Sequence, residues 1–578
     1  MNKVWISKAT IPQYSKDRLK VIIDILLNNR NLKTKSLQKE FFQNINPHDL
    51  TPKEIGIDPK QLKVALTRLK KAKLNDEKII IYGDYDTDGV TSTAIMWETL
   101  NYLGFAVLPF LPHREKHGYG IKSKSIDDAV KELGKPKLMI TVDNGIVAFE
   151  GAKHCQDLGI DLIICDHHEA IPNSNKFPEN KNLKKFPDCL ATIHTTQTAG
   201  AGVAYFFAKE ILNFFQPDEN HNKFLNQLVE LAAIGVVADI VPLIGSSRQI
   251  VKYGLKLLPK TTRPGLKALL AEAEIDPAKP LTTYHIGFIL APRLNASGRL
   301  EHSIDSLRLL CTRKQERAIE LAFHLGQTNR QRQELTNDNL QPIIDSISKQ
   351  KPLPKIIVTS SNNYNPGVIG LIAGKLTENF ARPSIAIAIM DGFAKGSVRS
   401  VSSVNIIEIL RQFENEFLEL GGHPMAAGFS IATENIENIT QLLQNYAQKN
   451  INEKILIPTL EAETELEFND FSLDLYQEIE KFAPFGMGNP KPIFVTKNLN
   501  LQAIYPLGKS GQHIKLVIQP TTRNSQLITN VETLYFNAPD KVKQLTPQSK
   551  IDLVYQIDLN EWNWMKKLQL LIKDIAIT

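Results

Sequence analysis

The chain has 578 residues, with 68 Lys and Arg against 62 Asp and Glu, so its formal net charge is +6. Because a domain usually takes roughly 100–200 residues, this length predicts three or four domains. Apolar residues make up 42% and charged residues 22%, which excludes wholesale disorder, and no apolar run approaches the ~20 residues of a membrane span.

The beginning of the chain and its cysteines bear on location. The first twenty residues have no apolar stretch typical of a secretory signal. The four cysteines form no Cys-x-x-Cys pair, so neither a zinc ribbon nor a disulfide framework is indicated. We therefore expect a cytoplasmic protein with no membrane association, whose small positive charge permits a polyanionic partner without requiring one.

The first half of the chain predicts a helical lead-in followed by a parallel sheet. Residues 1–75 are polar and have helical spacing of apolar residues. Residues 76–215 alternate helices, one of them at Thr91–Leu103, with apolar strands at Ile79–Tyr82, Leu138–Val142 and Leu162–Cys165. Apolar strands between helices indicate a parallel sheet covered on both faces, where ligands bind beyond the carboxyl ends of the strands.

The second half predicts three further regions. Asn173–Lys185 reads as a polar insertion, and residues 216–350 are helical, with one long connecting helix at Arg317–Ser346. Residues 351–453 predict a second α/β domain. Residues 454–578 change character and give five short strands with turns between them, which suggests a small barrel such as an OB-fold. The predicted strands are Leu499–Ile504, His513–Gln519, Val531–Phe536, Ile551–Ile557 and Leu568–Ile577.

The densest chemical signal is a run of three alternating acids, Asp84, Asp86 and Asp88, directly after the first strand. Alternate residues of an extended chain share a face, so the three carboxylates can converge, and they then repel one another unless a cation lies among them. An EF-hand loop would require Glu where Ile95 stands. An acidic surface turn remains an alternative for this run taken alone.

Further acids and histidines follow the later strands. Asp143 ends the second strand, although Asp-Asn-Gly is also a favoured turn. Asp166, His167 and His168 end the third strand, and two adjacent histidines beside an acid favour a metal or phosphate site. Asp239 interrupts an apolar run and needs a partner if it is buried, for which a salt bridge or a helix end would also serve.

Together these residues indicate a metal centre. Asp and His without Cys suit Mn²⁺ or Mg²⁺, with Zn²⁺ or Fe as alternatives. The candidate ligands exceed the need of one ion that keeps its waters, so two ions about 3.5–4 Å apart are the better fit, and such pairs catalyse phosphoester hydrolysis. The candidate ligands are Asp84, Asp86, Asp88, Asp143, His167 and Asp239.

These motifs resemble the DHH phosphoesterase family, and within it the bacterial exonucleases that act on single-stranded DNA. The likeness runs over nearly the whole chain. Its later part favours these exonucleases over other members, because it includes Ala291–Arg299 and the trailing barrel. The other quoted motifs are Gly83–Gly89, Val142–Gly145, Cys165–His168, Ala199–Ala204, Gly235–Asp239, Pro366–Gly370, Lys395–Ser400, Gly421–Gly428 and Pro484–Pro490.

The resemblance implies a fold, a reaction and residue roles. The fold would be α/β, with a DHH parallel-sheet domain joined by a long helix to a second α/β (DHHA1) domain and a C-terminal OB-like barrel. The reaction would be 5′-to-3′ removal of mononucleotides from single-stranded DNA with two Mn²⁺ or Mg²⁺ ions, in DNA repair and recombination. The six candidate ligands would hold the ions, Asp84 would also serve catalysis, and His168 would act on the scissile phosphate.

Candidate substrate contacts come from the later motifs. Planar guanidinium groups suit phosphate recognition, and backbone N–H groups with hydroxyls and cations can form a phosphate nest; ion pairs and plain turns are the structural alternatives. The barrel residues Lys509, His513, Lys515 and Trp562 are candidates for strand binding, with packing in the core as the alternative for aromatic residues. The predicted substrate-binding residues are Arg293, Asn295, Arg299, Lys395, Ser397, Arg399 and His423.

Two other functions remain open from the sequence. A DHH phosphodiesterase for cyclic dinucleotides or short oligonucleotides would usually lack the trailing barrel. A non-enzymatic DNA-binding scaffold would have lost its ligands, whereas all six are present here. The resemblance further implies a monomer that binds single-stranded DNA, with single-strand-binding protein and a helicase as expected partners.

Overall fold

The computed structural model divides into two compact units. The central unit is Asn44–Leu335 with Pro484–Asn489, and the terminal unit is Met1–Gln43, Thr336–Ala483 and Pro490–Thr578. The predicted insertion Asn173–Lys185 and the candidate Lys509 lie outside the described residues. The structure describes residues 3–12, 17–118, 120–170, 186–217, 220–508, 511–520, 530–562 and 565–577.

The start of the chain differs from the predicted helical lead-in, because Val4–Ala9 forms a strand (β1). This strand pairs in parallel with Thr459–Glu465, and the Trp5 Nε1 donates to Asp574 Oδ2 at 2.8 Å. A strand this short is recognised only with its distant partner, which explains why the prediction is wrong for Val4–Ala9. Helices follow it at Arg18–Asn29 (α1), Lys35–Phe42 (α2) and Pro59–Leu74 (α3).

The predicted parallel sheet lies in the central unit and is confirmed. Its strands are parallel, in the order β3-β2-β4-β5-β6, and β2 and β4 are fully buried, as their apolar sequences predict. The elements are β2 (Ile79–Tyr82), α4 (Thr87–Tyr102), β3 (Val107–Phe110), α5 (Arg114–His117), α6 (Ser123–Leu133), β4 (Leu138–Val142), α7 (Phe149–Asp157), β5 (Asp161–Asp166) and β6 (Ala191–His194).

Helices complete the central unit. A buried ion pair joins Arg263 Nη2 to Glu98 Oε2 at 2.6 Å within this unit. The predicted long helix is confirmed as α14, which continues through Pro342. A π-helix at His285–Leu290 leads directly into α12. The helices are α8 (Gly200–Phe215), α9 (Asn222–Ala238), α10 (Gly245–Leu257), α11 (Pro264–Glu272), α12 (Ala291–Leu300), α13 (Ile304–Cys311) and α14 (Gln315–Ser348).

The terminal unit contains a second α/β sheet, here called the mixed sheet. Its order is β10-β11-β9-β8-β7, in which β7 and β8 run parallel and the other pairs antiparallel. Its elements are β7 (Ile357–Ser361), α15 (Ile369–Phe380), β8 (Ser384–Ile389), β9 (Phe393–Arg399), α16 (Ile406–Arg411), β10 (Glu419–His423), β11 (Ala426–Ala432) and α17 (Ile436–Asn450).

The five strands predicted near the end of the chain are all present. Each pairs with two others of the set, since β16 pairs with both β17 and β13, as a small barrel requires. The strands β12 and β1 extend this sheet beyond β13. The elements are β12 (Thr459–Glu465), α18 (Leu473–Glu480), β13 (Phe494–Leu507), β14 (His513–Pro520), β15 (Val531–Tyr535), α19 (Asp540–Lys543), β16 (Lys550–Trp562) and β17 (Met565–Ile577).

Candidate metal centre

Three neighbouring strands of the central sheet deliver acids to one edge. Asp84 lies two residues beyond β2, Asp143 directly follows β4, and Asp166 ends β5. The carboxyl ends of parallel strands meet at the same edge, so these side chains converge. The helix α4 begins at Thr87, four residues earlier than predicted, because Asp86 Oδ1 caps it by accepting from the Gly89 N–H at 3.0 Å.

The beginning of α8 holds Asp88 in place. Its carboxylate accepts from the backbone N–H of Gly200 at 2.7 Å and of Ala201 at 2.9 Å, as expected for an anion at a helix N-terminus. Two glycines permit this packing. A Cβ at Gly200 would lie 2.6 Å from Asp143 Oδ1, and one at Gly235 would lie 2.4 Å from Asp88 Oδ1.

Three of the predicted ligands lie around His167. Its Nε2 lies 3.2 Å from Asp143 Oδ1, 3.5 Å from Asp239 Oδ2 and 3.9 Å from Asp88 Oδ2. Two sets of three residues, each with donor atoms that all lie within 4.8 Å of one another, together contain all six predicted ligands. These two sets are Asp88 with His167 and Asp239, and Asp84 with Asp86 and Asp143.

The donor atoms at the junction of the two sets fit a cation. Asp143 Oδ1 and His167 Nε2 are both buried and have no hydrogen-bond partner, although they are 3.2 Å apart. A buried polar atom without a partner costs free energy, and a divalent ion between such atoms would remove this cost. Oxygen and imidazole donors suit Mn²⁺ and Mg²⁺, so the cluster can hold the ions that the sequence predicts.

The pKa values of these carboxyl groups also indicate a cation site. Burial, followed by repulsion from Asp86, raises the pKa of Asp84 to about 8 and that of Asp88 to about 7. Burial and repulsion from Asp88 raise the pKa of Asp239 to about 8 and that of Asp143 well above its usual range. Carboxylates packed this closely are charged together only when cations compensate them.

Asp166 contributes differently from the other acids. Its Oδ1 accepts from the His167 and His168 backbone N–H groups and lies 2.7 Å from His168 Nδ1, while Oδ2 accepts from the Ile146 N–H at 2.8 Å. Burial lowers the pKa of His168, but the hydrogen bond to Asp166 and the attraction of the surrounding carboxylates together outweigh it and raise that pKa to about 9. Asp166 therefore orients both histidines, a role that the sequence prediction missed.

A cationic pair flanks the acidic loop. The Arg114 guanidinium lies 5.5 Å from the centre of the Tyr85 ring and helps to stabilise the charged form of Asp84. Arg299 also acts on Tyr85 electrostatically, and a Cβ at its neighbour Gly298 would lie 2.5 Å from the Tyr85 carbonyl oxygen. Arg114 was not among the sequence predictions, although its position just beyond β3 could have indicated it.

Two predicted substrate contacts are engaged inside the fold. Arg293 Nε donates to Glu272 Oε2 at 2.6 Å and its Nη1 donates to the Ile289 carbonyl at 2.9 Å. Asn295 Oδ1 accepts from the Thr87 N–H at 2.8 Å and so anchors the first turn of α4. Arg293 is therefore held in an ion pair, the structural alternative given for it, and Asn295 supports the end of the acidic loop through Thr87.

Comparison with known proteins identifies the family. Models described as DHH family, N-terminal domain, DHHA1 domain and RecJ OB domain match residues 78–236, 353–449 and 462–574. A single-stranded-DNA-specific exonuclease RecJ from Salmonella typhimurium is 31% identical over 519 residues, which are 86% of this chain and 87% of that protein. The chain belongs to the RecJ family.

Two further RecJ proteins agree with this assignment. The exonuclease RecJ of Bacillus subtilis is 38% identical over 525 residues, and the match covers 90% of this chain but 64% of that relative's length. The structure of RecJ with Mn²⁺ from Thermus thermophilus shares the fold, with a TM-score of 0.77, 24% identity and coverage of 99% of this chain and 79% of that one. The predicted resemblance is thereby confirmed.

The DHHA1 part of this RecJ-family chain places its predicted contacts on one face. Lys395, Ser397 and Arg399 alternate along β9 with buried residues. A Cβ at Gly370, in the first turn of α15, would lie 3.1 Å from Ser397 Oγ and 3.2 Å from Arg399 Nη2. The N-terminus of α15 and these side chains thus form one electropositive corner. His423 is exposed at the end of β10.

The RecJ OB part offers fewer available cations than the sequence suggested. Lys515 pairs with Glu532 at 2.8 Å, and His513 Nδ1 accepts from the Asn537 N–H at 3.0 Å. The side chain of Trp562 lies outside the described residues. No helix within the described part of the chain has both the length and the apolarity to cross a bilayer.

Proposed function

We propose that the chain is a metal-dependent exonuclease that removes mononucleotides from single-stranded DNA in the 5′-to-3′ direction. The observation that carries this proposal is the buried pair Asp143 Oδ1 and His167 Nε2, which lack hydrogen-bond partners and join two sets of carboxylates. Such a centre is suited to phosphodiester hydrolysis, and family membership supplies the class of substrate.

The two sets suggest how six residues share two Mn²⁺ or Mg²⁺ ions. Asp88, His167 and Asp239 would hold one, and Asp84, Asp86 and Asp143 the other, with Asp143 near both. When bound, the ions would stabilise charge on the attacking and leaving oxygens. The protein contributes the fixed donor geometry, since α8 anchors Asp88 and the strand ends fix Asp84 and Asp143.

His168 is proposed to act directly on the scissile phosphate. The Asp166 carboxylate holds its Nδ1 at 2.7 Å and so fixes the orientation of the ring. The raised pKa keeps the imidazole protonated at neutral pH, so it can stabilise the phosphate and donate a proton to the leaving oxygen. Asp166 acts through this ring and is therefore a positioning residue.

Substrate contacts are proposed at two cationic groups. In the central unit, Arg299 and Arg114 flank the acidic loop and would bind a phosphate beside the ions. In the terminal unit, Ser397 and Arg399 with the beginning of α15 form an anion site, to which Lys395 and His423 would add. We do not assign direct contacts to Arg293 or Asn295, because their side chains are engaged within the fold.

Family membership supports a proposal about location, oligomeric state and partners. We propose a cytoplasmic monomer that works on single-stranded DNA in repair and recombination, with single-strand-binding protein and a helicase as partners. Gel filtration at micromolar concentration tests the monomer, and co-purification with each candidate partner tests the assembly.

One assay tests the activity. The full chain is incubated with Mn²⁺ and end-labelled single-stranded, duplex and dinucleotide substrates. Stepwise release of mononucleotides from the single strand, lost on chelation, is the expected result, and a 5′ label released first establishes the polarity. Cleavage of dinucleotides alone would replace the proposal with a DHH phosphodiesterase. Tight binding without hydrolysis would indicate a scaffold.

A further inference from the structure

Histidines lie beside both arginines that flank the acidic loop. His113 and His117 enclose Arg114, because they stand directly before α5 and at its last residue. His302 lies just beyond the end of α12, the helix that carries Arg299. The rings of His113 and His302 are neighbours, with centroids 5.6 Å apart. We call these three histidines the histidine bridge.

The first part of the bridge is the buried ring of His117, which closes the turn that carries Arg114. His117 Nδ1 accepts from the His113 N–H at 2.9 Å, so the ring is bound to the backbone directly before the arginine. Its Nε2 lies 2.9 Å from Asp128 Oδ2, and these two partners fix the tautomer with the proton on Nε2. The α5 turn is therefore fastened to α6 by a side chain whose two ring nitrogens are both engaged.

The second part of the bridge joins the segment after α12 to the end of β3. His302 Nδ1 accepts from the Ile304 N–H at 3.1 Å, and its ring hydrogen-bonds to the backbone of Leu111, which directly follows β3. Burial lowers the pKa of His113, and burial with repulsion from His113 lowers that of His302. Both rings are therefore mainly uncharged at neutral pH and can pack together, which holds the two arginine-bearing segments against each other.

The two arginines converge on one side chain of the acidic loop. The Arg114 guanidinium lies 5.5 Å from the centre of the Tyr85 ring, and both Arg114 and Arg299 act on Tyr85 electrostatically. A phosphate that contacts both guanidinium groups requires them at a fixed separation. Because ordering flexible segments on binding costs free energy, segments that are already fixed bind such a phosphate more tightly.

We propose that the histidine bridge and Asp128 are positioning residues, which fix Arg114 and Arg299 as a pair for one substrate phosphate beside the metal centre. The histidines do this through the arginines and need not touch the substrate. The inference rests on the proposed function for its choice of ligand, and it adds to that function a support formed wholly within the central unit.

A double-mutant cycle tests whether His117 acts through Arg114. The metal-free full chain is titrated with a fluorescent thymidine hexamer, whose few phosphates make each contact visible, and the Kd is measured by anisotropy. Arg114→Ala should raise the Kd about tenfold, as the loss of a charge-assisted hydrogen bond predicts. His117→Ala should raise it roughly fivefold in the parent chain and leave it unchanged in the Arg114→Ala chain, because residues that act through one another are not additive.

A second cycle tests the other half of the bridge. His302→Ala should raise the Kd by a similar factor in the parent chain, and this effect should vanish in the Arg299→Ala chain. Additive losses in this cycle would remove His302 from the proposal.

Variants of Asp128 repeat the first cycle without removing a buried ring. Asp128→Ala should reproduce the effect of His117→Ala, and it carries the test where His117→Ala lowers the melting temperature below that of the assay. Asp128→Asn keeps an acceptor oxygen for the ring N–H and should retain the Kd of the parent chain. Asp127 on the same helix is the matched control, because it pairs with His154 at 2.8 Å and lies outside the bridge, so Asp127→Ala should leave the Kd unchanged.

Two results would overturn the proposal. One is an effect of His117→Ala that is equally large with and without Arg114, and the other is an unchanged Kd in both His117→Ala and Asp128→Ala. Either would leave the histidines a role in stability alone. Because binding is measured without metal, absence of hydrolysis by the parent chain would contradict the proposed function and not this inference.

Discussion

In the central sheet the proposed metal ligands stand mostly beyond the strand ends, whereas in the mixed sheet three of the proposed substrate contacts alternate along one face of β9. The first arrangement buries Asp88 and Asp143, with pKa values raised by burial and mutual repulsion. The second leaves Arg399 partly exposed, with Nη1 donating to the Val398 carbonyl at 2.8 Å. The carboxylates of the central sheet therefore need cations to be charged together, whereas the guanidinium on β9 is partly exposed and needs no bound anion to stay charged.

The largest effect is expected from substitutions of the proposed metal ligands. Asp143→Asn or His167→Ala should lower the hydrolysis rate on the order of 10³-fold or more, because several kcal/mol of transition-state stabilisation are lost with the ions. Binding of single-stranded DNA should largely persist, as measured by anisotropy. Asp157→Asn, at the exposed end of α7, is the control. Retained turnover in both variants would remove the metal assignment.

A smaller effect is expected from the positioning residue. Asp166→Asn should lower kcat about 10–100-fold with little change in KM, since residues that orient functional histidines carry effects of this size. It should also shift the alkaline limb of the pH–rate profile to lower pH, because the hydrogen bond that raises the pKa of His168 is lost.

A second Asp–His pair offers the matched control for this variant. Asp127 Oδ1 lies 2.8 Å from His154 Nε2 on the surface of the same unit, so Asp127→Asn should leave the pH–rate profile unchanged. An Asp166→Asn enzyme with a normal profile and a merely lowered melting temperature would show that Asp166 serves stability only.

A smaller effect on activity is expected from substitution of Arg399 in the proposed anion site. Arg399→Ala should raise KM about tenfold with kcat nearly unchanged, as the loss of one charge-assisted hydrogen bond predicts, and should reduce the salt slope of DNA binding by about one. Lys375→Ala, on α15 and paired with Glu378 at 2.9 Å, is the control. A drop in kcat alone would instead place Arg399 in the chemical step.

The smallest effect concerns stability in the absence of metal. Asp84 and Asp239 have pKa values of about 8 in the folded chain against a usual 3.8, so the folded state binds more protons than the unfolded state between these limits. Folding stability should therefore fall as the pH rises from about 4 to 8. Scanning calorimetry should show that Mn²⁺ raises the melting temperature more at pH 8 than at pH 5; equal shifts would contradict the argument.

Elements with local signals could be predicted from the amino-acid sequence alone. Apolar strands followed by acids predicted the central sheet and the edge at which the proposed metal ligands lie, and the structure brings those residues together in two adjoining sets. The five barrel strands and the long helix were also predicted correctly. These features depend on periodicity and on the residue types at strand ends, and both are local properties of the sequence.

Features that depend on distant segments could be seen only in the folded chain. It joined β1 to β12, gave Asp166 its role towards the two histidines, and engaged Arg293 with Glu272. It also brought the Pro484–Asn489 loop to the central unit, where the Met487 carbonyl accepts from the Leu243 N–H at 2.8 Å. A side chain's partner is set by packing between elements far apart in sequence, and no local pattern specifies which of several available donors or acceptors it will meet.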